Sequence, residues 1–85
     1  MTPNTQYYLD KLQEEAAEII QSVSKVRRFG PTNTHPERNS TNLQELVGEI
    51  EDLLALLACL EANKVFDLTL SRDSIANKIK QIYRG

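Results

Sequence analysis

The chain has 85 residues, room for one small domain spanning 1–85 and no more. Twelve acidic against ten basic residues leave a net charge of -2, without the basic excess of a general nucleic-acid binder. Its longest apolar run, Leu53 to Leu60, is far too short to span a bilayer. The start Met1-Thr2-Pro3-Asn4 has neither a basic nor an apolar signal, so a cytoplasmic domain without membrane partners is expected. Cys59, the one cysteine, cannot close an intramolecular disulfide and reads as a buried small hydrophobe in a reducing compartment. A core of this size is marginal alone, and association with a second copy is expected.

Asn4 or Thr5 is expected to cap a first helix that runs to about Arg28 and stops at Gly30-Pro31. Tyr8, Leu12, Ala16, Ile19, Val23 and Val26 recur every three or four residues and define its apolar face. Glu15 and Glu18 point into one sector beside that face, with Glu14 next to them. Phe29 opens a polar stretch with two prolines, Gly30 to Thr41, that supports neither helix nor strand. Such a long connection in so small a domain is often functional or disordered. His35 within it is expected at the surface.

Thr41 or Asn42 caps a second helix, with Gln44 or Glu45 completing a capping box, and Asn63 is expected as its left-handed terminator after about Ala62. Leu43, Leu46, Val47, Ile50, Leu53, Leu54 and Leu57 share one face. Glu45, Glu49 and Asp52 line its border, with no Lys or Arg three or four residues from any of them. Like charges at that spacing repel, so the compensating charge is expected from outside the helix. Beyond Asp52 the apolar residues spread around most of the helix, which calls for cover by a second subunit. Residues 64–70 form a connector whose Val65, Phe66, Leu68 and Leu70 tuck under the bundle. Ser71 or Asp73 starts a third helix to about Arg84, with Ile75, Ile79 and Ile82 expected inward. The expected fold is all-α: an antiparallel helical hairpin plus a third helix, completing a four-helix-bundle core by dimerisation.

Hairpin pairing brings the two acidic borders together. Four to six facing carboxylates need a cation, and oxygen-only ligands suit Mg²⁺ first and Mn²⁺ second. Lys11 and Lys25 offer Glu15 and Glu18 local partners, whereas the acids of the second helix have none nearby. Glu45, if drawn into capping, is a secondary ligand.

Glu15-Ala-Ala-Glu18 followed by Glu49-Ile-Glu51-Asp52 resembles the ExxE…ExxD signature of the MazG-like, all-α nucleoside triphosphate pyrophosphohydrolases. The surrounding LQEEAAEII, VRRFG, LQELVGEIEDLLALLACL and NKIKQIYR agree in order, from about Leu9 to Arg84. The resemblance implies a Mg²⁺-dependent enzyme that cleaves a (deoxy)nucleoside triphosphate to the monophosphate and pyrophosphate. It implies Glu15, Glu18, Glu49 and Asp52 as metal ligands and Glu14, with Glu15, as the carboxylates that orient or deprotonate water. It further implies Lys78, with Arg84, against the phosphates, joined by Lys25 and Arg28. Phe29, read from its own place at the start of the loop, is expected either to pack on the core or to offer a flat face to a base. The gap between Glu18 and Glu49 is longer than is usual in the family, and Glu51 stands where members often carry Gly or Ala. A homodimer or homotetramer is expected. The competing expectation is a non-catalytic helical dimer, a regulatory or interaction module, suggested by the broad apolar surface and short length.

Overall fold

Helix α1 covers Pro3–Phe29. Thr2, rather than the expected Asn4 or Thr5, is the cap, and its side chain accepts a hydrogen bond from the Thr5 N–H at 3.1 Å. Pro3 follows at the first helical position, where a missing N–H costs nothing. Gly30 ends the helix at φ 91, a conformation open to glycine, and its N–H reaches the Val26 carbonyl at 2.9 Å. Helix α2 covers Asn42–Ala62. The Thr41 hydroxyl accepts from the Gln44 N–H at 3.0 Å, and the Gln44 side chain accepts from the Thr41 N–H at 2.8 Å. This reciprocal box uses Thr41 and Gln44, so Glu45 is not part of it. At the far end Asn63 stays right-handed at φ -92, and the left-handed residue is Lys64 at φ 59. The Val65 N–H reaches back to the Leu60 carbonyl at 3.0 Å, closing the turn.

The computed structural model describes residues 1–34, 37–68 and 71–85. His35 and Leu70 lie outside the described residues. The structure is all-helical, with α3 covering Arg72–Ile82. Among the described residues, α1 and α2 pack together and no Cα of α3 comes within 8 Å of either. The Asn42 side-chain amide donates to the Gly30 carbonyl at 3.1 Å, so α1 ends where α2 begins. Glu18 and Glu49 meet farther along both helices from that junction, and the pair is therefore antiparallel.

The buried interior is small. Leu60 is fully covered and Leu56 nearly so, joined by the small polar Ser22 and Asn42. The two outer faces of the hairpin differ sharply. On one, Leu43, Val47, Ile50 and Leu54 follow at steps of four, three and four along α2, with Ile20 and Val23 beside them on α1, and all are exposed. The other carries Glu18, Glu45 and Asp52. The accessible surface is 7000 Å², against about 5,100 Å² for a folded monomer of this mass. The radius of gyration, 15.7 Å, also exceeds the compact value of about 12 Å. A plate 16 Å thick and 41 Å long leaves too much apolar surface wet.

Several expectations change as a result. Ile75, Ile79 and Ile82 are exposed rather than inward, at 42, 58 and 77%, because among the described residues α3 packs on neither α1 nor α2. Cys59 is exposed rather than buried, lying off the α1-facing side of α2. Phe29 is 54% exposed, with the Arg28 guanidinium 5.2 Å from its ring centre. Val65, Phe66 and Leu68 are half-buried. No helix among the described residues is long and apolar enough to cross a membrane.

Candidate metal centre

The acidic residues sit where helical periodicity places them, on the seam between α1 and α2. Glu15 and Glu18 are one turn apart on α1, and Glu49 faces them from α2. One carboxylate oxygen from each lies within 4.8 Å of the others. Two oxygens on one Mg²⁺, each at about 2.1 Å, are at most about 4.2 Å apart. Small side-chain rotations therefore bring the three onto one ion. Glu15 Oε2 and Glu49 Oε2 are shielded from solvent and have no hydrogen-bond partner. Carboxylate oxygens in that state are costly unless a cation or a proton meets them.

The electrostatics agree. Burial, then the charges of Glu18 and Asp52, raise the pKa of Glu15, and Lys11 offsets this only in part. Glu49 is raised by a hydrogen bond with Glu18, then by burial and by the charges of Glu18, Asp52 and Glu15. Asp52 is thus close enough to act on both, although it stands outside the trio. The donor set is all carboxylate, which fits a hard divalent cation and does not fit zinc.

The other acids are otherwise engaged. Lys11 pairs with Glu14 at 3.3 Å rather than with Glu15, leaving Glu14 on the surface. Arg38 donates to Glu45 from the loop, and this pair replaces the expected capping contact. Arg38 was not among the candidates, since seven residues and a turn separate it from Glu45. Its visible signal is only that it is a loop cation beside an acidic helix.

The candidate phosphate-binding cations are not gathered at the trio. Lys78 lies on α3 and Arg84 just beyond it, apart from the hairpin. Arg28 stacks on Phe29. Lys25, two turns along α1 from Glu18, shares its flank and is exposed. A shallow groove of about 410 Å³, lined by Ile19, Ile20, Val23, Ser24, Arg27 and Arg28, borders the apolar face instead.

No model of a known protein family matches the chain, and no curated protein or solved structure is significantly similar to it.

Proposed function

We propose that the chain is a Mg²⁺-dependent nucleoside triphosphate pyrophosphohydrolase of the MazG-like kind, acting as a homodimer. The observation that carries this reading is the convergence of Glu15, Glu18 and Glu49 from two helices, with shielded, unpartnered oxygens on two of them. These are three of the four acids that the motif resemblance selects, and Asp52, the fourth, adjoins them. The reaction is attack by water on the α-phosphorus, scission of the α–β bridging P–O bond and release of pyrophosphate, with the water proton passing to a base.

Glu15, Glu18 and Glu49 would hold the cation, with Asp52 completing the negative field around it. When bound, Mg²⁺ offsets the charge of the triphosphate and polarises its phosphoryl oxygens. Glu15 and its neighbour Glu14 are the carboxylates assigned to orient water and take its proton. Glu14 takes part only once it leaves Lys11, which now holds it at 3.3 Å.

Dimerisation covers the apolar face. Joining the exposed stripes of α1 and α2 to their counterparts in a second copy forms a four-helix core. The surface excess of roughly 1,900 Å² per chain, from 7000 Å² less about 5,100 Å², belongs to the whole molecule, α3 included, and exceeds the roughly 800 Å² that each partner gives to a standard interface.

Incubation with Mg²⁺ and a panel of canonical and modified nucleoside triphosphates tests the activity. Monophosphate and pyrophosphate are expected in equal amounts, and Glu49→Gln and Asp52→Asn are each expected to abolish turnover with the helical spectrum unchanged. Absence of turnover across the panel removes the enzymatic reading. The same uncovered face would then favour a second one, a helical interaction module in which the hairpin serves only as a dimer.

A further inference from the structure

We infer that Arg38 is a polyphosphate-binding residue of the acidic site, held in reserve by Glu45 and transferred to the phosphate chain when it arrives. The inference rests on the pyrophosphohydrolase reading for its physiological ligand, but the anion site itself follows from the loop.

Three carboxylates, Glu15, Glu18 and Glu49, converge at the seam with Asp52 close enough to act on two of them, so one divalent cation does not balance the acidic charge there. A triphosphate adds several more negative charges, so cations from the protein must face its outer phosphates. The structure places Lys78 and Arg84 apart from the hairpin and turns Arg28 to Phe29. Arg38 is already in place. It bonds to Glu45, which lies four residues, one helical turn, before Glu49.

The loop is built to keep it there. The Asn42 N–H reaches the Asn33 carbonyl at 2.9 Å, and the Leu43 N–H reaches the Pro31 carbonyl at 3.0 Å. Asn42 Nδ2 fastens Gly30, and Thr34 bridges Thr41. The base of the loop is thus pinned to the first turn of α2, and Arg38 is carried on the short span before Thr41.

Arg38 is also able to change partner. Its side chain is 62% exposed while that of Glu45 is only 17% exposed. One edge of the guanidinium therefore meets Glu45, leaving other N–H donors open to a second anion. Lys25 stands across the seam on the matching flank of α1. A polyphosphate lying from the trio towards the loop would pass between Lys25 and Arg38.

Calorimetric titration with inorganic triphosphate in the presence of Mg²⁺ tests the site without requiring turnover. Arg38→Ala is expected to weaken binding about ten- to hundredfold, the usual loss of a charge-assisted contact. Arg38→Lys should recover part of it, having charge without the fork. Glu45→Gln should tighten binding, because the phosphate no longer competes with a carboxylate for Arg38. A merely structural pair gives the opposite result, with Glu45→Gln weakening binding as much as Arg38→Ala. That outcome, or an Arg38→Ala affinity within twofold of the wild type, or no binding by the wild type, overturns the inference. The two readings fail separately. Turnover with a KM indifferent to Arg38 leaves the enzyme and removes this site, whereas Arg38-dependent binding without turnover of any nucleotide does the reverse.

Discussion

Leu54 and Leu60 belong to the same helix and differ by less than two turns, yet one chain treats them oppositely. Leu60 is fully buried and Leu54 is 60% exposed. Truncating Leu60 to Ala removes a core side chain, at a cost of about 2.7–5 kcal/mol. For Leu54 the outcome depends on what covers it. In a lone chain about two-fifths of the residue is shielded, and two-fifths of a leucine's burial energy is about 0.6–1.2 kcal/mol. Under the matching stripe of a second copy, Leu54 becomes a core residue and Leu54→Ala costs on the order of 2–5 kcal/mol. At about 4–8 °C per kcal/mol for a domain of this size, the covered case lowers Tm by at least about 8 °C. Thermal melts of wild type and both variants at two protein concentrations make the measurement, with light scattering on the same samples. Dimerisation also requires the wild-type Tm to fall on dilution. A Leu54→Ala cost below about 1 kcal/mol, with Tm unchanged by hundredfold dilution and a monomeric mass, would refute the four-helix arrangement.

Two further tests address the acidic seam. Glu49 is held above the ordinary carboxylate value of 4.5, so its contribution to stability is full below that value and is lost as pH rises through the raised one. In metal-free buffer Glu49→Gln, which never ionises, should therefore melt a few degrees above wild type at pH 7.5. That difference should vanish as pH falls towards 4.5, and a variant less stable than wild type at pH 7.5 contradicts the repulsion. Arg38→Ala removes a cation bound one helical turn before Glu49 and should tighten binding of Mg²⁺ alone about two- to fivefold, the size of a screened charge–charge interaction. Calorimetry without phosphate reads this directly, and weaker Mg²⁺ binding would place Arg38 elsewhere.

Helix boundaries were legible because their causes are local. Gly30-Pro31 stops α1, and Thr41 with Gln44 starts α2, through contacts within a turn. The ambiguities were local as well. Thr2, Asn4 and Thr5 all have side chains suited to capping, and Pro3 decides for Thr2 by occupying the first helical position. Asn63 and Lys64 compete for the left-handed end, and closure of the Val65 N–H onto Leu60 selects Lys64.

By itself the sequence determined an all-helical chain with carboxylates aligned along two helices, since a period of 3.6 residues dictates which side chains share a side. The tertiary structure decided which acids converge. Six candidates lay beside the apolar faces, but helix rotation brought Glu15, Glu18 and Glu49 onto one point, while Lys11 held Glu14 and Arg38 held Glu45. Such choices depend on the packing angle and on the path of a loop, neither of which leaves a periodic trace. The same holds for α3, whose isoleucines mark an amphipathic helix without naming its partner. Periodicity tells a helix which side to bury, and only the assembled chain supplies the surface to bury it against.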